Sequence, residues 1–452
     1  MNRRVAITGA GVVTSLGTEI ETFWRHCLEG RSVVAEVPTA WARHSPLRSR
    51  VWSPLGDWER ETPLTTRIER KQLDPAGRIG LLAAEAALGQ AGLVLESADP
   101  RRNAYRIAGV DGDRAGVFLG TGVGGLHSCL ESSRFIVLDQ PRREASAEMA
   151  ALLDALAIPR AFNPFSVAMT MPNAAAAALS IKLGLHGPCR TFAGACAAGT
   201  VALGHAFRAV RQGECDLALA GGVEFLGDPF GCAFRGFDAV GALAAGPLSA
   251  EEINRPFDRG RSGFLFSEGG GAVLVLEDLE SARRRGADIL AEVVGYGETA
   301  DAHHLMGMAP EGRQIRRAIE LCLGDAGLAP SDIGYVNAHG TGTAANDDVE
   351  ARVLAALFPH RPRVNSTKSL LGHTLGASGA VEAVVTALTL RDGVAHPSRN
   401  LTDPEIPLAF VVGSEPVAAR YALSESFAFG GQNAVLALAN RSTTPAEISC
   451  RR

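Results

Sequence analysis

Short runs of apolar, β-branched residues alternate along this chain with longer alanine-rich stretches. The runs at 4–8, 116–120, 216–220, 271–276, 334–337 and 434–439 are too short for helices and almost uninterrupted in apolar character. That combination marks strands buried on both faces. The stretches at 80–90, 173–183, 197–212, 313–326 and 376–390 carry the spacing and composition of helices. Buried strands alternating with helices predict a mainly parallel sheet covered on both sides. In the stretch 197–212, Val201, Leu203, Ala206 and Val210 spread around the helix and predict burial on every side. Residues 126–165 are less regular and read as an insertion or a dimer-facing segment. The charged run DLESARRRGAD follows a strand and marks either a seam between two similar halves near 277–288 or a solvated helix.

The chain has 452 residues. At one domain per ~150 residues this suits two or three domains, or one large duplicated fold. With 46% hydrophobic residues and 51 glycines, a tightly packed α/β protein is expected and a disordered or fibrous chain excluded. A net charge of −5 offers no field for nucleic acid. No apolar run reaches the ~20 residues a bilayer span needs. The opening MNRRVAITGAGVV is short, β-branched and glycine-punctuated, so it reads as a first core strand and not as a signal peptide. Cys27, Cys129, Cys189, Cys196, Cys215, Cys232, Cys322 and Cys450 are scattered without CxxC pairs. They form neither a disulfide framework nor a zinc ribbon, and the expected compartment is the reducing cytoplasm.

Four segments carry candidate chemistry. In TFAGACAAGT, Cys196 stands among small residues just before the stretch 197–212. A thiol at a helix N-terminus feels the positive end of the dipole, which lowers its pKa, although a cysteine taken alone is more often a small, inert buried hydrophobe. VNAHGTGTAANDDVE brings His339, Thr341 and Thr343 to the end of a strand, where α/β folds place ligands. NSTKSLLGHTLGASGA carries Lys368, a candidate for a buried ion pair, and His373. SFAFGGQNA reads either as a hinged apolar loop with free backbone donors or as an ordinary turn. GTGVGG at 120–125 matches dinucleotide-binding spacing but lacks the acidic partner a ribose needs.

Taken in order, VAITGAGVVTSLG, GTGVGGL, ACAAG, PFDRGRSGFLFSEGGGAVLVLE, VNAHGTGT, STKSLLGH and SFAFGGQNA resemble the β-ketoacyl-acyl-carrier-protein synthases, in the elongating type II branch of the thiolase superfamily. The resemblance covers nearly the whole chain. It implies a five-layered α-β-α-β-α fold from two similar halves, 1–285 with the nucleophile and a dimerisation insertion, and 286–452 with the catalytic His/Lys/His set. Cys196 would take an acyl group from a carrier-protein thioester, with the backbone N–H groups of Cys196 and Phe429 as oxyanion hole. His339 and His373 would stabilise the enolate released when a malonyl thioester decarboxylates. Lys368 would support the histidines and pair with a carboxylate, which corresponds to Glu350. Thr341 and Thr343 would hold the phosphopantetheine arm, Val123 would bound the acyl tunnel at a dimer interface, and Phe429 would gate the acyl pocket. Arg67, Arg70 and Lys71 in RIERKQLD would dock an acidic acyl carrier protein. The resemblance implies no metal and no cofactor, with substrates carried on the carrier's phosphopantetheine. It implies a homodimer, or a heterodimer with a chain-length-factor-like subunit, and neither nucleic-acid nor membrane partners.

Several positions depart from the family pattern. Gly194 stands where a threonine is usual, Ser262 replaces an aspartate and Ser267 a glycine. Ala428 replaces a glycine, Gln432 a threonine, and Met306 a gating-loop threonine. These changes fall around the channel and gate and point to a specialised polyketide- or polyene-type synthase. Two other readings share the motifs: a non-condensing chain-length factor, which typically lacks the cysteine, and a thiolase, which uses a second cysteine near the C-terminus. A third is a carrier-binding scaffold without turnover.

Overall fold

The structure, a computed structural model, describes residues 3–42, 46–149 and 161–441. Cys450 lies outside these. Eleven strands form one hydrogen-bonded ladder with a repeated plan. In the first half the chain runs through strands Val5–Val13, Ala115–Thr121, Cys189–Ala193, Leu217–Phe225 and Gly269–Asp278. Numbered one to five, they lie in the order 1-5-4-2-3. In the second half Ala291–Ala300, Ile333–Asn337, Arg363–Asn365, Tyr421–Phe427 and Gln432–Asn440 take the same order, extended by the short strand Ala409–Phe410. Directions repeat as well: 1-5 and 5-4 are antiparallel, 4-2 and 2-3 parallel, in both halves. The two halves meet edge to edge where Val5, Ala6 and Ile7 pair with Val293, Glu292 and Ala291.

The expectation of a mainly parallel sheet is corrected: half of the ladder is antiparallel. Strands such as Gly269–Asp278 are apolar on both faces because helices cover both, and two-sided burial leaves no imprint of direction in the sequence. The layering follows the five-layered plan. Helices Pro75–Gln90 and Ala174–Leu183 cover the outside of the first half-sheet, and Arg313–Ala326 and Ala344–Leu357 the outside of the second. Between the half-sheets lie Ala198–Gln212 and Ser378–Asp392. The central helix that is buried all round is the second, with every residue from Ser378 to Leu390 inside. Ala198–Gln212 instead leaves Val201, His205, Arg208 and Arg211 partly exposed along one stripe, so its expected burial on every side does not hold.

Local chemistry explains where these helices start and how close they come. Asp74 caps Pro75–Gln90 by accepting from the Ala76 N–H at 3.0 Å, with proline at the first position. The same helix lies flush on strand Val5–Val13: a Cβ on Gly11 would stand 2.0 Å from the Ala83 carbonyl oxygen. The run 126–165 is more regular than its pattern suggested, since Leu126–Glu144 is a helix with Pro141 inside it. The charged run after strand Gly269–Asp278 is the solvated helix Leu279–Arg284, capped by Asp278. No helix among the described residues is long and apolar enough to cross a membrane.

Candidate active site

Each central helix begins with a tight 3₁₀ turn, Ala195–Ala197 in one half and Leu375–Ala377 in the other. The residue opening each turn takes a left-handed backbone although it is not glycine, Ala195 at φ 44° and Leu375 at φ 47°. Such a conformation costs of order 1–3 kcal/mol and survives only where surrounding packing enforces it. Here it thrusts Cys196 into the space between the half-sheets. At the equivalent place in the other turn stands Gly376, where a Cβ would collide with the Gly122 nitrogen at 2.2 Å. The duplicated scaffold thus presents a side chain from one turn and bare backbone from the other.

Cys196 Sγ lies 3.0 Å from His373 Nε2. Leu375 N–H approaches His373 Nδ1 at 3.3 Å, and Ser378 Oγ lies 2.9 Å from the same nitrogen. A backbone N–H can only donate, so Nδ1 accepts and the ring proton sits on Nε2, facing the thiol. His339 is fixed in the same tautomer by another donor. Lys368 Nζ lies 3.1 Å from His339 Nδ1, donates to the His339 carbonyl at 2.7 Å, and gives its third hydrogen bond to Glu382. All three ammonium protons are used, and His339 is left with its Nε2–H free toward the cleft. The two imidazoles stand edge to face with centroids 5.6 Å apart. Burial and the nearby Lys368 charge hold both well below the usual histidine range, so both are neutral donors at neutral pH.

The thiol behaves differently from its sequence expectation. A helix N-terminus, Lys368 and the Phe429 N–H all favour the thiolate, but complete burial outweighs them and pushes Cys196 up to about 12. At rest the thiol is protonated. Cys196, His339, His373, Thr341, Thr343 and Phe429 line one narrow cleft, together with Met306 and Met308. The Thr341 and Thr343 hydroxyls lie 2.8 Å apart.

Other expected residues lie elsewhere. Val123 does not line the cleft; in the single chain it is surface-exposed beyond strand Ala115–Thr121. Arg67 and Lys71 are exposed on the segment around helix Glu69–Gln72, while Arg70 is partly covered and ion-paired with Glu59 at 3.7 Å. The pairing of Lys368 with Glu350 is corrected: the partner is Glu382, from the buried central helix. Glu350 instead accepts from the backbone N–H groups of His339 and Gly340, at 2.7 and 2.8 Å, and from Asn346 at 2.9 Å. It steadies the loop that carries the histidine, not the lysine.

Sequence reading missed Glu382, Glu224 and Glu425. Glu382 had a signal, being the lone charge in the apolar stretch SGAVEAVVTALTL, where an acid must find a partner. Glu224, fully buried, gathers the N–H groups of Gly122 at 2.6 Å and Gly376 at 3.1 Å and the Thr121 hydroxyl at 3.2 Å, tying the loop before Val123 to the glycine turn. Two of the unusual positions lie side by side. The backbone at Gly194 does not need glycine, since its φ is −131°. A Cβ there would lie 2.7 Å from the Gln432 side-chain oxygen, the tip of an exposed side chain that would have to swing aside for a larger residue.

Comparisons with known proteins identify the family. The model of the β-ketoacyl synthase N-terminal domain matches residues 2–282, and that of the β-ketoacyl synthase C-terminal domain residues 290–402. The chain belongs to the β-ketoacyl synthase family. It is 36% identical over 441 residues to the 3-oxoacyl-[acyl-carrier-protein] synthase 2 of Synechocystis, covering 96% of this chain and 97% of that protein. A solved type II polyketide ketosynthase, in complex with its acyl-carrier protein and bound to a hexaketide, superposes with a TM-score of 0.81 at 28% identity, over 97% of this chain and 99% of the other. The ishigamide ketosynthase/chain length factor matches with a TM-score of 0.81 at 30% identity, over 98% and 100%. This β-ketoacyl synthase is a condensing acyltransferase of the thiolase-like fold.

Proposed function

We propose that this chain condenses a Cys196-bound acyl group with a malonyl unit carried on acyl carrier protein, by decarboxylative Claisen chemistry. The observation that carries this reading is the convergence on one cleft of a thiol and two neutral histidines whose protons are both fixed on Nε2. The His373 Nε2–H···Sγ contact of 3.0 Å is its centre. Sulfur attacks the acyl thioester, the tetrahedral oxyanion resting on the N–H groups of Cys196 and Phe429; the carrier's C–S bond then breaks, and the Cys196 thiol proton passes to the carrier sulfur, which leaves as its thiol. The freed Nε2–H donors of His339 and His373 then hold the malonyl thioester oxygen. Loss of carbon dioxide leaves its electron pair in the enolate, whose carbon attacks the acyl-Cys carbonyl. The C–S bond to Cys196 breaks, its sulfur takes up a proton from water to restore the resting thiol, and the β-ketoacyl carrier departs.

Thr341 and Thr343 line the approach to the sulfur and suit the amide-rich phosphopantetheine arm. Phe429 supplies both a backbone donor and the ring at the cleft, and its place supports the gating role. Val123 supports a tunnel boundary only in an assembly that covers it. Arg67, Arg70 and Lys71 form the basic surface for an acidic carrier protein. We place the reaction in the cytoplasm, with no cofactor of the enzyme's own.

The substitutions at 194, 306, 428 and 432 support a specialised acyl substrate over saturated chains of every length. The ishigamide match, a ketosynthase with a chain length factor, supports a second reading, activity only beside such a subunit. The purified chain, alone and coexpressed with a chain-length-factor-like subunit, should be given malonyl-carrier protein and acyl-carrier proteins graded in length and unsaturation. β-Ketoacyl product from the chain alone supports the homomeric enzyme. Product only from the pair supports the second reading, and none from either contradicts both.

A further inference from the structure

Behind His339 the structure packs more carboxyl groups than one lysine can balance. Glu350 on helix Ala344–Leu357, Glu382 on helix Ser378–Asp392 and Glu425 on strand Tyr421–Phe427 are all fully buried. Lys368 is committed to Glu382. The Glu425 carboxyl meets that of Glu350, and neither of its oxygens receives a hydrogen bond from any donor among the described residues. Glu350 is well supplied by contrast. Its Oε2 accepts from Gly340 N–H and Asn346 Nδ2, and its Oε1 from His339 N–H alone.

Two ionised carboxylates cannot share a dry site, so one proton must lie between them. Glu350, with three N–H donors, is the better anion. Glu425, with none, is the better acid, and the open lone pair is on Glu350 Oε1. We propose that Glu425 is held as the neutral acid and donates its O–H to Glu350, making it a positioning residue for the His339 backbone. Glu350 then holds the backbone of His339 while Lys368 holds its ring. The titratable groups facing the pair are Asp347, one turn before Glu350, Glu382 from the central helix, and Cys322 from helix Arg313–Ala326. None of these brings a positive charge. Burial pushes both acids up; with the repulsion of Asp347 it takes Glu350 to about 7, and with the neighbouring Glu350 it takes Glu425 well above the carboxylate range.

The kinetic part of the test rests on the proposed condensing function; the spectroscopic part does not. Infrared spectra of wild type and Glu425→Gln, at neutral pH, should differ by the carbonyl band of one protonated carboxylic acid. Malonyl-carrier-protein decarboxylation should fall roughly tenfold or more in Glu425→Leu, through kcat and not KM. Glu425→Gln, which keeps an N–H donor, should rescue most of that loss. The wild-type rate should decline on the alkaline side as the shared proton leaves, and Glu425→Gln should hold its plateau there. Absence of the difference band overturns the proposal, as does Glu425→Gln being as impaired as Glu425→Leu. A requirement for potassium or sodium that Glu425→Gln abolishes also overturns it, because the pair would then share a cation. If wild type decarboxylates nothing, the condensing function fails while the infrared band still reports on Glu425.

Discussion

Replacing Lys368 with methionine keeps the length of the side chain and removes one ammonium. Three hydrogen bonds go with it: to Glu382, to the His339 carbonyl and to His339 Nδ1. The chemistry is lost through the last. Without a donor at Nδ1, His339 can carry its proton on either nitrogen, and the Nε2–H assigned to the malonyl thioester is no longer enforced. A hydrogen bond from a charged donor contributes about 1.5–3 kcal/mol, which corresponds to about 10–150-fold in rate. Outright loss of an oxyanion donor costs about 10²–10³. Decarboxylation of malonyl-carrier protein should therefore fall by between about tenfold and a thousandfold. Acyl transfer to Cys196, for which the Cys196 and Phe429 N–H groups are the proposed oxyanion donors, should fall much less. Breaking a buried ion pair also costs stability, about 3–5 kcal/mol when one partner is left charged. The double variant Lys368→Met/Glu382→Leu separates the two effects, because it removes the orphaned carboxylate without restoring the donor. It should regain stability and stay defective in decarboxylation. Carbon dioxide release measures one step, and the intact mass of the acyl-enzyme the other. Equal loss of both steps in a folded Lys368→Met, or recovery of decarboxylation in the double variant, would refute this reasoning.

Three further outcomes are expected. Because burial holds Cys196 up to about 12, its alkylation by iodoacetamide should keep accelerating with pH well above neutrality; a plateau near pH 7 would show a thiolate at rest. Glu224 is pushed up to about 7 from 4.5 by burial, so the stability it contributes is full below pH 4.5 and lost as pH rises through 7. Glu224→Gln should escape that loss, its denaturation midpoint gaining on wild type across this interval, and a pH-independent difference would contradict the assignment. Gly194→Thr should cost little stability, because the atom in its way is the tip of the exposed, flexible Gln432 side chain, which can swing aside; a large loss that Gln432→Thr relieves would mean that Gln432 is held rigidly beside Gly194.

Much of this architecture is legible in the chain because burial and turn chemistry act locally. The strands around 4–8, 116–120 and 434–439 and the helices around 80–90 and 313–326 stand where apolar runs and alanine-rich stretches put them. Strand direction was not legible, since a strand covered on both faces is apolar whichever way it runs. Motif order pointed to Cys196, His339, Lys368 and His373, and the fold does bring them to one place. The partners of those residues were hidden for a different reason. Glu350 and Glu382 are both acids within reach of the lysine in sequence patterning, and only the fold decides which carboxylate meets Nζ and which meets the backbone of His339. The raised pKa of the thiol is not legible either, because a helix dipole can be seen in a sequence and desolvation cannot.

The most direct test of the central claim follows Cys196 itself through one catalytic cycle. The enzyme is loaded from acyl-carrier protein, digested, and the Cys196 peptide weighed before and after addition of malonyl-carrier protein. The account predicts an acyl adduct on that peptide, absent from Cys196→Ala, that disappears on malonyl addition as a β-ketoacyl carrier with two more carbons forms. An adduct on another residue, or one that malonyl-carrier protein leaves in place, would contradict it.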